Sequence, residues 1–408
     1  MRPVNTGSQI ARTMLFASVL LTGCRVPQLT VREVAAPAAP GSAEPCVETG
    51  ADGHAYLSWV EPLGAGGHAL RFSVRNGAEW SAPRTVAEGS DWFVNWADFP
   101  SVTALDDGTL AAHWLRKTGG SSYAYGVKLS FSHDAGKTWS EAVTPHDDSP
   151  TEHGFVSKVP LPGGRLAVIW LDGRETGGGS EEHGGPMTLR AAFVGPDGRV
   201  EREDRIDARV CDCCQTSAVR LADGALVVAY RDRSEDEIRD IAVARFDGER
   251  WSEPRVVNDD HWRISGCPVN GPAIAADGKR VALAWFTAAG APPEPKVRVA
   301  FSQDGGRGFA APIDLNAGRP EGRVDVVFGE DGAALVSWID AVDGAAQLLA
   351  RRIDSNGTLG PLVRIASSSV ARAGGFPRMT GLGSDALVTW TEPGEPSHIR
   401  TAVLSPRP

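Results

Sequence analysis

The sequence has no stretch that keeps a helical period, no apolar run long enough to cross a bilayer as a helix, and no surplus of positive charge. The first absence argues against a helical fold. The second argues against a helical membrane-spanning protein. The third, a formal charge of −10, argues against nucleic acid or an anionic membrane surface as a partner of the globular part. Tyrosine is scarce as well: Tyr56, Tyr123, Tyr125 and Tyr230 are the four in 408 residues. What is abundant is glycine (47), proline (28) and hydrophobic residues (42%). That composition supplies an ample core and fits many short strands joined by turns. The length allows two or three domains, or one large repeat domain.

The N-terminus reads as a targeting segment over residues 1–23. Arg2 and Arg12 carry positive charge, Met14 to Leu21 is a short apolar run, and Leu21-Thr22-Gly23-Cys24 closes it. The tetrad resembles a bacterial lipobox, which implies cleavage before Cys24 and lipidation of that cysteine. Arg25 follows, not the aspartate associated with inner-membrane retention, so the expected location is the cell envelope, anchored at the outer membrane. Residues 24–45, which hold the run Ala35-Ala36-Pro37-Ala38-Ala39-Pro40, read as the lipidated cysteine and its tether.

From residue 46 to the end a single pattern recurs. A turn with glycine is followed by alternating apolar residues, an aromatic, and then a polar or charged group. The aromatics are Trp59, Trp114, Trp170, Tyr230, Trp285, Trp338 and Trp390, spaced 52 to 60 residues apart. Alternation such as Leu110-Ala111-Ala112-His113-Trp114 is the two-residue period of a strand. Each repeat has room for about four strands, the arrangement of a β-propeller. The expectation is an all-β propeller over 46–408 with seven four-stranded blades, or six if an end repeat is incomplete. The aromatics are expected to pack between blades. The last repeat lacks an outer strand, which residues 29–34 are placed to supply, leaving no open edge.

Ser132-His133-Asp134-Ala135-Gly136-Lys137-Thr138-Trp139 resembles the Asp box of sialidase-like propellers, and Ser302 to Phe309 is a weaker copy. This motif is a hairpin device in which a carboxylate satisfies turn amides and glycine takes a positive φ. It implies the fold and carries no chemistry. The cysteine run with Tyr230-Arg231-Asp232-Arg233 is similar to bacterial sialidase-like proteins often labelled exo-α-sialidase. Working members of that family clamp a carboxylate with three arginines. They attack with a tyrosine assisted by a glutamate, and draw an acid/base aspartate from an early loop. An Arg-Ile-Pro segment near the start usually supplies the first arginine. This chain has no Arg-Ile-Pro, only Phe99-Pro100, and none of its tyrosines falls in the last two repeats, the usual place of the nucleophile. Classical sialidase chemistry is therefore not the expected activity.

In a propeller the segment before each inner strand and the segment after each second strand converge at the channel mouth. This places Trp92 to Asp98, Glu152-His153, Cys211 to Gln215 and Cys267 to Asn270 around one opening with Asp172, Arg174 and Arg231 to Arg233. Candidate ligand-binding residues are Arg174, Arg231, Arg233 and His153; the arginines would pair with an anionic sugar. Asp98, Asp172 and Asp232 are the candidate acid/base residues if the chain hydrolyses a glycoside. Five cysteines remain beside Cys24, and three readings of them stand. One is a disulfide joining the Cys211–Cys214 run to Cys267 on the next blade. Another is a copper or zinc site made by Cys211, Cys213, Cys214 and Cys267, with His153 able to add an imidazole. The third is a redox role through Cys213 and Cys214. No cofactor is otherwise expected. The favoured function is an outer-membrane-tethered module that binds a glycan or envelope component. A sialidase or related glycoside hydrolase is the alternative, and a periplasmic metal-binding protein a further one.

Overall fold

The alternating apolar runs fold into antiparallel strands that group as seven sheets around a central channel. This computed structural model describes residues 1, 28–177, 184–316, 318–342 and 345–407; Cys24, the lipobox and Gly178-Gly179 lie outside them. Blade three is representative: His153–Leu161 is innermost, followed outward by Arg165–Asp172, Thr188–Val194 and Val200–Asp207. Blades four, five and six repeat that order from Ser217–Arg220, Ala273–Asp277 and Arg319–Phe328. Blade one starts at Ala43–Thr49 and has two short strands, Glu79–Trp80 and Arg84–Gly89, on its outer edge. Blade two has three strands, its fourth reduced to a bridge between Leu129 and Val143. Seven blades, not six, are present. Among the described residues the only helical turns are Gly64–Gly66 and Arg372–Gly374, and no helix is long and apolar enough to cross a membrane.

Blade seven is completed from the other end of the chain. Leu29–Val34 lies antiparallel to His398–Pro406, with Leu29 opposite Pro406 and Val34 opposite Thr401. Each end strand thereby covers the hydrogen-bonding edge of the other. The ring therefore begins at Leu29 rather than at residue 46, and the described part of the expected tether runs between two blades. Gly41 N–H donates to Ser397 O at 2.8 Å and Ser397 Oγ to Ser42 O at 3.0 Å, which ties this connection to blade seven.

Each recurring aromatic packs against the blade before its own. Trp114 lies with Tyr56, Leu70 and Phe72 of blade one; Trp170 lies with Val127, Leu129 and Phe131 of blade two. Trp285 meets Val227 and Val243 of blade four, and Trp390 meets Leu348 and Ala350 of blade six. The ring closes the same way, with Trp59 of blade one on Leu387 and Val403 of blade seven. All seven are buried. Burying such a side chain contributes roughly 2–3 kcal/mol. The acid two residues on shares its face of the strand and accepts from the indole: Trp170 Nε1 donates to Asp172 at 2.7 Å and Trp338 Nε1 to Asp340 at 3.1 Å.

The Asp box is a closed hydrogen-bond unit. Asp134 accepts from the amides of Lys137 and Thr138 at 3.0 and 2.9 Å and from the hydroxyls of Thr138 and Ser132 at 2.7 and 2.8 Å. Those bonds hold its carboxyl well below the usual carboxylate range. Gly136, at φ +80°, rests on the Phe72 ring of blade one, where any Cβ would collide. The turn joins third to fourth strand, so it lies at the end of the ring opposite the loops that follow second strands.

Candidate functional site

Those loops surround a cavity of about 550 Å³ at the channel mouth. Blade two contributes Asn95, Trp96, Ser121 and Tyr123; blade three contributes Thr151, Glu152, Phe155 and Thr176. Asp212, Cys213 and Arg233 come from blade four, Cys267 and Val269 from the start of blade five, and Arg372 from the turn before blade seven. The expected convergence of loops is therefore found. Tyr123 is 62% exposed and Arg372 is also exposed, so an aromatic face and a cation stand at the rim.

Below Glu152 lies a buried acid cluster. Tyr125 Oη donates to Glu152 Oε1 at 2.8 Å and lies 3.2 Å from Asp98 Oδ2, while Phe155 N–H donates to Asp98 Oδ1 at 2.8 Å. Gly154 makes this packing possible, because a Cβ there would collide with Asp98 and Tyr125. Burial pushes Asp98 up to about 7, against the lowering effect of the Phe155 amide and the Tyr125 hydroxyl. Burial likewise pushes Glu152 up to about 8, with Asp98 adding repulsion. Glu152, on the cavity wall, thus holds a proton near neutrality and can donate it to a ligand, while buried Asp98 is near its midpoint there. The Tyr125 ring is buried and stacked on Phe93 at 3.8 Å, with its hydroxyl turned to the two acids.

The sequence places Glu152-His153 together at the opening and points to His153 as the ligand residue, whereas the structure puts Glu152 on the cavity wall. Consecutive residues of an extended chain face opposite ways. Glu152 faces the cavity, while His153 is buried in blade three with Nδ1 3.1 Å from Thr151 O and Nε2 between Asp147 and Asp172 at 3.4 and 3.6 Å. Its ring stacks on His146 at 3.9 Å. His146 accepts from Val127 N–H through Nε2 and meets Asp147 O through Nδ1, so both its nitrogens are engaged. His153 is therefore part of the blade-three network and stands apart from the thiols.

The arginines separate into two kinds. Arg231 is buried and donates to three backbone carbonyls: Asn270 O at 3.0 and 2.7 Å, Arg239 O at 2.6 Å and Phe286 O at 2.8 Å. Its guanidinium also sits 4.7 Å from the Trp262 ring centroid. It braces blade four against blade five and does not reach the cavity wall, a correction to its expected ligand role. Arg174 is held by both oxygens of Asp172 at 2.8 and 2.7 Å and by Glu203 at 2.8 Å. That pairing commits both Arg174 and Asp172 to blade three, and Asp172 also accepts from Trp170. Arg233 does line the cavity, paired with Asp212 at 3.2 Å and Glu237 at 2.8 Å. Asp232 points away from the cavity; burial, then repulsion from Asp207, pushes it up to about 6.

The thiols do converge. Cys211 Sγ lies 3.6 Å from Cys214 Sγ and 4.0 Å from Cys213 Sγ, and Cys213 shares the cavity wall with Cys267 of the next blade. Arg239 Nη1 donates to Cys211 Sγ at 3.3 Å, and Asn270 N–H donates to Cys214 Sγ at 3.4 Å. Hydrogen bonding with Cys213 and Cys214, then the charges of Arg239 and Arg231, draw the Cys211 thiol well below its ordinary value. All five described cysteines are free thiols, so the expected disulfide is not formed here. Cys46 lies on the innermost strand of blade one, where burial pushes it up to about 12.

A seven-bladed ring with Asp boxes at one end and a cavity at the other defines a sialidase-like propeller. A family model described as "BNR repeat-like domain" matches residues 58–321, and the chain belongs to that family. The fold is similar to an α-L-arabinanase of Penicillium chrysogenum solved with arabinobiose: 14% identity, 77% of this chain and 95% of that one, TM-score 0.53. It is also similar to a Hadza microbial sialidase, at 14% identity over 83% of this chain and 73% of that one, TM-score 0.49. A Dyadobacter fermentans protein of unknown function shares 15% identity over 94% and 99% of the two chains, TM-score 0.48. No curated protein matches this sequence.

Proposed function

We propose that the chain is a glycan-binding propeller whose mouth cavity receives an acidic sugar, and that it holds this ligand without hydrolysing it. One juxtaposition carries the reading: exposed Tyr123 and the Trp96 ring face the same 550 Å³ space as Arg372, Arg233 and the proton-bearing Glu152. Aromatic faces suit the apolar face of a sugar ring, while guanidinium and protonated carboxyl groups donate to a sugar carboxylate. The solved relatives named for sialidase and arabinanase activity agree with a carbohydrate ligand. Against hydrolysis stands the position of Tyr125, buried on Phe93 with its hydroxyl committed to two acids.

Hydrolysis is the second reading, and the same Asp98–Tyr125–Glu152 cluster is what favours it. In that case Glu152, protonated and on the cavity wall, would serve as the general acid. A glycan panel separates the readings. Saturable binding to carboxylate-bearing glycans with no turnover of a fluorogenic sialoside or arabinoside supports the module; turnover abolished by Glu152→Gln replaces it with an enzyme. No binding to any glycan would sink both.

Envelope anchoring through a lipid on Cys24 belongs to the proposal and rests on the Leu21–Cys24 tetrad. Metabolic labelling with a fatty-acid analogue tests it, since Cys24→Ser should abolish the label and release the chain from membranes.

A further inference from the structure

We propose that Cys211, Cys213, Cys214 and Cys267 form a binding site for one thiophilic d10 cation, copper(I) or zinc, in the wall of the mouth cavity. The inference rests on sulfur geometry and is independent of the glycan reading. A zinc–thiolate bond is about 2.3 Å, so the edge of a tetrahedral thiolate site spans about 3.8 Å between sulfurs. Two of the separations, 3.6 Å for Cys211 to Cys214 and 4.0 Å for Cys211 to Cys213, bracket that length. The three sulfurs lie within 4.8 Å of one another. Cys267, exposed and from the neighbouring blade, lines the same cavity as Cys213 but lies outside that three-sulfur group, so it completes a fourth side only by moving toward a bound ion.

The surroundings complete the argument. An ion held by three or four thiolates leaves the site with net negative charge, which needs donors around the sulfurs. Arg239 Nη1 at 3.3 Å from Cys211 Sγ and Asn270 N–H at 3.4 Å from Cys214 Sγ supply them. The sulfur donor set selects soft ions over magnesium or calcium. Cys211 and Cys214 are buried, while Cys213 and Cys267 line the cavity, so the ion enters from the mouth. Each ligand still protonated gives one proton to solvent as its bond to the metal forms, and no electron transfer is required.

The test uses the full chain purified without reductant or chelator and examined by native mass spectrometry, followed by anaerobic titration of the reduced protein. Zinc is competed against a chromophoric chelator, and copper(I) against a copper(I) chelator. The expected result is one equivalent of one of these ions, an intense thiolate-to-metal band on cobalt(II) substitution, and at least tenfold weaker retention in Cys213→Ser. Cys213 borders the cavity, so this variant should keep the fold, which far-ultraviolet circular dichroism checks. If Cys211→Ser fails to fold, Cys213→Ser alone decides. The proposal is overturned by a metal-free mass lacking two hydrogens, by failure of the reduced protein to retain either ion, or by retention unchanged in Cys213→Ser.

Discussion

Tyr125 Oη donates to Glu152 Oε1 at 2.8 Å, joining the buried acid Asp98 to the carboxyl at the cavity wall. The contact ties the state of the site to protons. Asp98 is raised to about 7 and Glu152 to about 8, so the folded chain holds two protons that the unfolded chain releases near pH 4. Stability present below that point is then lost as pH rises toward 8. For Asp98 the difference is on the order of 4 kcal/mol. Thermal unfolding from pH 4.5 to 8.5 should show wild type losing stability relative to Asp98→Asn as pH rises toward 8. His113 and His146, held below the usual imidazole value by burial, act in the opposite direction below about pH 6.5, so the difference between the two proteins is the readout. A wild type that loses no stability relative to Asp98→Asn as pH rises would contradict the assignment.

Binding should follow the same proton. A sugar carboxylate is accepted beside neutral Glu152 and repelled once that group ionises. Affinity for an acidic sugar is predicted to weaken by about tenfold or more above pH 8, and Glu152→Gln should remove most of that dependence. A pH series of binding isotherms on the two proteins measures it.

Arg231 and Arg233 are two residues apart and should behave differently. Arg231→Ala leaves the carbonyls of Asn270, Arg239 and Phe286 without their donor. The expected cost is about 3 kcal/mol, seen as a melting temperature lower by several degrees. Arg233→Ala should cost less stability and weaken ligand binding more, since that side chain borders the cavity.

Gly136 and Gly53 both have positive φ, +80° and +76°, but only Gly136 faces another blade. Gly53→Ala should cost the backbone penalty alone, about 1 kcal/mol. Gly136→Ala adds a collision with Phe72 and should cost visibly more in chemical denaturation.

Closure of the ring gives the fifth contrast. Deleting residues 28–34 removes the partner of His398–Pro406 and exposes its edge. The truncated chain should unfold at a lower temperature and aggregate on heating. Unchanged melting would show that the end strand is dispensable.

The propeller, its favoured seven blades and the packing of seven aromatics were legible from a two-residue period repeated at near-constant spacing, and ring closure from the outer strand that the last repeat lacks. Convergence of Cys211 to Cys214 with Cys267 was legible for the same reason. Which side chain of a loop faces the cavity was not. Glu152 and His153 are neighbours, and only the fold decides that the acid looks out and the imidazole in. Arg231 misled because guanidinium charge reads as a surface property, whereas three backbone carbonyls solvate it inside the ring. Tyr125 was passed over because the family's nucleophile lies in later repeats, though here a tyrosine meets two acids in blade two.

The most direct measurement is a calorimetric titration of the full chain with free N-acetylneuraminic acid at pH 6.5, repeated on Arg372→Ala and Tyr123→Ala. The account predicts saturable one-site binding, weakened at least tenfold by either substitution at unchanged melting temperature. Absence of saturable heat across acidic sugars, or binding indifferent to both substitutions, would contradict a glycan site at the mouth of this propeller.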